Sequence, residues 1–210
     1  MTIGIVGAGE IGGALAVQLV RNGHDIVIAN SRGPETLEKL IAPLGPGAKA
    51  GTVADAAQAG EVVFLAIPFN RYPELPAEPF TGRIVVDAGN YDIYRDGRYP
   101  QLDRGETTSG QMLAEILPGA RIVKAFNTIW YRRLRDEGRP DRPAAERLAI
   151  PVAGDDPEAK AAVFALAEQF GFAPVDTGTL AESRRQEYGT PVFNKPVGPA
   201  DAEALLRLVP

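Results

Sequence analysis

The segment Thr2-Ile3-Gly4-Ile5-Val6-Gly7-Ala8-Gly9-Glu10-Ile11-Gly12 decides how the chain folds. Its apolar run, Ile3 to Val6, predicts a strand that ends in a glycine-rich turn. A helix is expected directly after the turn, with Ile11, Leu15 and Leu19 on one face at four-residue spacing. A second apolar run, Asp25 to Ala29, completes a strand–helix–strand unit. In that setting Gly7, Gly9 and Gly12 form a G-x-G-x-x-G dinucleotide fingerprint. Gly7 allows the tight turn, Gly9 lets a pyrophosphate approach the backbone, and Gly12 lets helix and strand pack closely. The free N–H groups of the helix start, with the positive end of its dipole, favour the anion.

The end of the second strand bears on which dinucleotide. NAD sites usually place an Asp or Glu there for the ribose 2′-OH. This chain reads Ala29-Asn30-Ser31-Arg32-Gly33-Pro34 and has no carboxylate before Glu35. Ser31 can donate to a 2′-phosphate and Arg32 can bind it as a fork. One charge-assisted bond of about 1.5–3 kcal/mol corresponds to roughly a ten- to hundredfold preference for NADP.

Working outward, a helix is expected over Pro34 to Ala42, and Lys49-Ala50 is a short strand. Thr52 with Asp55 forms a capping signature for a helix to Ala59. Glu61 to Ile67 has the unbroken apolar character of a buried strand, and ends at Pro68. Ligands of open parallel sheets bind beyond such strand ends, so Ala66, Ile67 and Pro68 are expected to border the cofactor. Tyr72 to Phe80 is proline-rich and irregular. Arg83 to Asp87 is the next strand, and Asn90 beyond it is a candidate for the nicotinamide or its ribose, or a plain turn residue. Tyr91 to Glu106 is a polar excursion that caps or borders the site. Further on come a helix from Gly110 to Leu117, a strand from Arg121 to Ala125, and an arginine-rich stretch from Trp130 to Arg142. That stretch is expected to be a solvated loop, or else a basic rim for an anionic substrate. Leu148 to Ala153, Pro157 to Phe170 and Phe172 to Val175 predict strand, helix and strand. A polar tail and a short helix from Ala200 to Leu208 follow. The expected fold is α/β: a Rossmann-type, doubly wound, mainly parallel sheet with a small C-terminal lid or extension. It is read as one NADP-binding domain over residues 1–210, with the nucleotide-binding part at about 1–145 and a strand–helix–strand and tail at about 146–210.

The chain has 210 residues, a net charge of −5, one histidine and no cysteine. Mixed charges give no argument for nucleic acid or a membrane surface. Disulfides, thiol chemistry and Cys/His zinc sites are excluded. His24, after Gly23, is read as a cap for the first helix. A strand at the N-terminus predicts no signal peptide. The apolar runs are far shorter than the roughly 20 residues of a membrane helix. A cytoplasmic protein is expected. A base is also scarce: Lys124 and Lys195 are candidates, each more often structural or exposed. A nucleotide domain with a thin lid suits hydride transfer between two planar rings, which needs stacking, spacing and dry walls more than an acid or base.

Gly7-Ala8-Gly9-Glu10-Ile11-Gly12, Asn30-Ser31-Arg32-Gly33-Pro34-Glu35, Leu65-Ala66-Ile67-Pro68 and Val123-Lys124-Ala125-Phe126-Asn127-Thr128-Ile129 stand in the order found in a known family. Together they resemble the NADP-dependent oxidoreductases of the coenzyme F420 (deazaflavin) type, a domain that also occurs in membrane metalloreductases. Ala153-Gly154-Asp155-Asp156-Pro157 and Gly171-Phe172 fit further down. The resemblance implies hydride exchange between NADP(H) and F420 or a flavin, the small-molecule redox acceptor, and suggests a homodimer. It implies that Gly7, Gly9 and Ile11 line the pyrophosphate, Ser31 and Arg32 the 2′-phosphate, and that Ile67 and Pro68 flank the nicotinamide. Asn127, Thr128 and Ile129 would border the acceptor, with no catalytic residue assigned. Ala8, Glu10, Asn30, Ala66 and Asn90 complete the expected cofactor contacts. Two other functions fit the sequence: a reductase of a small carbonyl or imine with Lys124 or a tail residue as proton donor, and a non-catalytic NADP(H) sensor.

Overall fold

The computed structural model describes residues 1–210. Its strands are β1 (Thr2–Val6), β2 (Asp25–Ala29), β3 (Ala48–Ala50), β4 (Val62–Leu65), β5 (Ile84–Asp87), β6 (Arg121–Ala125), β7 (Ala149–Gly154) and β8 (Ala173–Gly178). Its α-helices are α1 (Glu10–Arg21), α2 (Glu38–Ile41), α3 (Val53–Gln58), α4 (Ile93–Asp96), α5 (Pro100–Asp103), α6 (Ser109–Ile116), α7 (Tyr131–Asp136), α8 (Pro157–Gln169) and α9 (Pro199–Leu206). The eight strands form one sheet in the order β3-β2-β1-β4-β5-β6-β7-β8. All neighbours are parallel except β6 and β7. The direction of winding reverses between β1 and β4, the switch point where open α/β sheets bind ligands.

Both faces of the sheet are covered, which is why the strands read as continuous apolar runs. Ile3, Ile5, Phe64 and Val86 pack with Leu15 and Leu19 of α1 and Val163 of α8. Val6, Val63, Leu65 and Val85 pack on the other side with Ala56 and Ala57 of α3 and Leu113 of α6. This is the two-residue alternation of a pleated strand. The Thr52–Asp55 capping box forms as the sequence predicts.

Three local expectations are corrected, and one, the cap at His24, holds. The helix expected over Pro34 to Ala42 is broken into a 3-10 turn, the short α2 and a second 3-10 turn containing Pro43. No residue of α2 is buried, so packing does not hold a longer helix together, and Pro43 cannot donate to continue it. The arginine-rich stretch expected to be a loop contains α7. There, Gln18 Nε2 donates to Leu134 O at 2.7 Å and Arg21 Nη1 to Arg135 O at 2.7 Å, so side chains of α1 satisfy the carbonyls at its end. His24 caps α1 as expected, through its backbone N–H, which donates to Leu19 O at 3.0 Å after Gly23 at φ 78°. Backbone N–H groups of Asn22, Gly23 and His24 close the helix, while the buried ring meets Gln169 Oε1 at 2.7 Å. The Tyr72–Phe80 region is not irregular throughout. A 3-10 turn from Phe69 to Glu74 runs into it and a second spans Glu78–Phe80, and Tyr72 and Phe80 are buried within it.

Candidate dinucleotide site

A cleft of about 360 Å³ opens over the carboxyl end of β1. Val6, Gly7, Ala8 and Gly9 form its floor; Asn30, Ser31 and Arg32 follow β2 on one side; Ala66, Ile67, Pro68 and Arg71 follow β4 on the other. The turn is built by backbone sterics. Gly7 has φ +113°, a region that favours glycine. A Cβ on Gly12 would run into the Gly7 carbonyl. A Cβ on Gly9 would meet no protein atom within 4 Å, so the space beside that backbone is open to a ligand. No side chain caps α1, which leaves its first-turn N–H groups for an anion. The residues present therefore fit a dinucleotide pyrophosphate.

The β2 edge is equally suited to a phosphate. Asn30 Oδ1 accepts from Arg32 N at 2.8 Å, and Asn30 Nδ2 donates to Thr36 Oγ1 at 2.8 Å. Asn30 thus shapes the loop that presents Ser31 and Arg32, both exposed. Glu10 and Ile11 open α1 beside this cleft but do not line it: Glu10 is exposed, and Ile11 is half-buried against the core.

The remaining predicted residues form a second cluster. Asn90 Nδ2 donates to Asn127 O at 2.8 Å, and Asn127 Nδ2 donates to Asn90 Oδ1 at 3.0 Å. Asn127 Nδ2 also donates to Gln186 O at 2.7 Å, while Asn127 Oδ1 accepts from Gln186 Nε2 at 3.1 Å. Thr128 is buried and its carbonyl accepts from Asn194 N at 2.8 Å. Ile129 is half-buried against the core. The backbone enters this cluster through Phe126, a non-glycine residue at φ 61°. Its ring packs between Phe64 and Phe170, with centroids 5.7 and 6.0 Å away. That packing holds a backbone conformation that such a residue seldom adopts.

Lys124, on β6, adjoins the second cluster through the Gly89 carbonyl and Gln186 and is not placed to donate a proton to a substrate. It has no solvent exposure, and its Nζ donates to Asp87 Oδ2 at 2.8 Å, Gly89 O at 2.8 Å and Ser109 Oγ at 2.9 Å. All three of its N–H groups are thereby used. Tyr72 OH donates to the other oxygen of Asp87. Burial first, then the Asp87 carboxylate, push the Tyr72 phenol well above its usual range, so it stays a donor. Ser109 Oγ passes the chain on to Glu187 Oε1 at 3.0 Å. The other lysine candidate, Lys195, is exposed in the tail. The excursion from Tyr91 to Glu106 borders this region: Tyr91 and Tyr99 pack on Phe69 with centroids 5.5 and 4.9 Å away, and Arg95 bonds the Asn90 carbonyl.

No motif marks Arg71, Glu74, Tyr72, Gln186 or Glu187. Arg71 and Glu74 could have been found as polar residues just past a strand end. Gln186 lies 59 residues from Asn127, and no local pattern links them.

Residues 2–91 match the family described as NADP oxidoreductase, coenzyme F420-dependent. The hypothetical protein SMa0349 of Sinorhizobium meliloti is 36% identical, with a TM-score of 0.76 over 94% of this chain and 93% of that one. A structure from Arthrobacter sp. FB24, provisionally described as an F420-dependent NADP reductase, is 26% identical, with a TM-score of 0.73 over 99% and 91% of the two chains. Rat metalloreductase STEAP3 is 30% identical over 187 residues, which are 88% of this chain and 35% of that protein. The chain thus spans about a third of the length of the curated relatives it matches. An Aspergillus terreus imine reductase solved with NADPH4, at 20% identity and a TM-score of 0.59, shares the fold. Over residues 2–91 the chain carries an NADP-binding domain of the family described as NADP oxidoreductase, coenzyme F420-dependent.

Proposed function

We propose that this domain passes a hydride between NADP(H) and a planar deazaflavin or flavin acceptor at the carboxyl edge of the sheet. The observation that carries the proposal is the single cleft joining the Gly7–Gly9 turn, the Ser31–Arg32 edge and the Ile67–Pro68 wall. The bound nicotinamide supplies the hydride chemistry. The chain supplies position and environment. The uncapped start of α1 and the open side of Gly9 hold the pyrophosphate. Ser31 and Arg32 bind the 2′-phosphate. Ile67 and Pro68 give the nicotinamide an apolar wall. The Asn90–Asn127 clasp fixes the backbone of the Asn127–Ile129 segment against which the acceptor rests. No acid or base is required for ring-to-ring transfer, which agrees with a lysine whose donors are all engaged.

NADPH oxidation measured with purified F420, then free flavin, quinone, ferric chelate and a carbonyl panel, tests the acceptor. Rapid reduction of F420 or flavin is expected. Tight NADPH binding without reduction of any acceptor would make the domain a nucleotide sensor. Arg32→Ala tests the cofactor: it should weaken NADPH by about ten- to a hundredfold and NADH far less. Equal losses would remove the 2′-phosphate role.

A further inference from the structure

The cleft carries a second guanidinium that the glycine fingerprint does not require. Arg71 lies in the 3-10 turn after Pro68 and lines the cleft together with Glu74, Leu75 and Pro76. Arg32 follows β2 and Arg71 follows β4, and these strands flank β1 on opposite sides. The two arginines therefore stand on opposite banks. Their surroundings differ. Arg71 Nη2 lies 2.6 Å from Glu74 Oε2, with the side chains 50% and 55% exposed. Arg32 is exposed on its own bank, with only its backbone N–H tied to Asn30.

We propose that Arg71 is a second specificity residue for the cofactor's 2′-phosphate, held by Glu74 until the nucleotide replaces that carboxylate; this rests on the NADP(H) assignment above. A guanidinium fork fits a carboxylate and a phosphate alike. A half-exposed pair three residues apart contributes little, so its loss opposes binding only weakly. A phosphate dianion carries more charge than the single Glu74 carboxylate, and Arg32 lines the same cleft to share it. Once displaced, Glu74 returns to water at no burial cost, because it is already half-exposed. The exchange needs only side-chain rotation. It also sharpens selection: NADH offers no 2′ charge to draw Arg71 from its partner, while NADPH does. Glu74 thereby screens the cleft against weaker anions.

The test is a titration of NADPH and of NADH at fixed ionic strength with the wild type, Arg32→Ala, Arg71→Ala and Glu74→Gln. Arg71→Ala should weaken NADPH about tenfold and leave NADH within about twofold. Glu74→Gln should tighten NADPH several-fold and leave NADH unchanged. Equal losses for both cofactors in Arg71→Ala, no loss for either, or weaker NADPH binding in Glu74→Gln would overturn the role of Arg71. A wild type with no preference for NADPH would overturn the NADP(H) assignment itself. A preference lost in Arg32→Ala yet intact in Arg71→Ala would overturn the Arg71 role alone. Both residues are exposed, so circular dichroism of the variants should match the wild type.

Discussion

A lysine side chain cut off from water costs stability unless each of its N–H groups finds an acceptor. Lys124 meets that condition through Asp87, Gly89 and Ser109, and Asp87 is completed by Tyr72 and the Gly89 N–H. Such a pair adds little net stability over an apolar pair, yet breaking it leaves an uncompensated charge. Lys124→Met should therefore cost about 3–5 kcal/mol, since Asp87 stays buried. Adding Asp87→Leu to Lys124→Met should recover part of that loss. Urea unfolding midpoints check both statements. A double variant no more stable than Lys124→Met would mean that the pair is not the source of the loss. The cost is accepted at a telling place: Gly89 and Asn90, at the carboxyl edge, are held by this pair on one side and by Asn127 on the other.

Helix α8 shows how much of an element a sequence can declare. Asp156 caps it through Oδ1, which accepts from Glu158 N at 2.9 Å and Ala159 N at 3.0 Å, and Pro157 follows at the first position. These residues mark the start of a helix in the sequence. The same carboxylate also binds Arg121 on β6. Hydrogen bonds from Arg121 first, then from the Ala159 N–H, hold Asp156 at about 2, below its ordinary 3.8. A pKa lowered by folding adds stability that is fully present above the unfolded value and is lost as pH falls through the folded value. Asp156→Asn keeps a capping oxygen and removes the charge. It should be less stable than the wild type at pH 7, and the gap should close as pH falls from about 4 to about 2. Thermal unfolding across that range checks it; a gap unchanged by pH would exclude the charge as the cause. By contrast, α7 was hidden. Its arginines read as solvated, and Leu134 is its one buried side chain. What holds it is a neighbour: Gln18 and Arg21 reach from α1, more than a hundred residues earlier, to its last carbonyls. The strands were legible because burial on both faces leaves an unbroken apolar signature, while a docked polar helix leaves none.

At the scale of the whole molecule, the cleft and the Asn127 cluster differ in the same way. The Gly7, Ser31–Arg32 and Ile67–Pro68 segments could be read because backbone sterics and charge force local residue choices at strand ends. The second cluster is assembled by the tail. Gln186 Nε2 faces Lys124 O at 3.2 Å, Asn127 Oδ1 at 3.1 Å and Pro151 O at 3.1 Å, and its own carbonyl accepts from Asn127 at 2.7 Å. Glu187 then accepts from Ser109 N and Oγ at 2.8 and 3.0 Å. Two adjacent residues thus tie together β6, β7 and α6, joining the antiparallel extension to the parallel sheet. Gln186→Leu fills similar space but strips buried carbonyls and the Asn127 amide of a donor, a loss of about 1–3 kcal/mol. The nucleotide cleft lies over β1, between β2 and β4, and takes no residue from the tail. On the proposed function, Gln186→Leu should leave NADPH affinity within about twofold while slowing reduction of the acceptor. A displacement of about 1 Å in a reacting geometry costs on the order of a hundredfold, so a drop of at least about tenfold in kcat is expected. Parallel NADPH titration and stopped-flow hydride transfer separate the outcomes. If affinity and rate fall together, the tail supports the fold as a whole; if neither moves, Asn127 does not need Gln186 to hold the acceptor side in place. A fall in rate alone would assign the tail to the acceptor, and would explain why a residue as buried as Gln186 is spent on hydrogen bonds rather than on apolar packing.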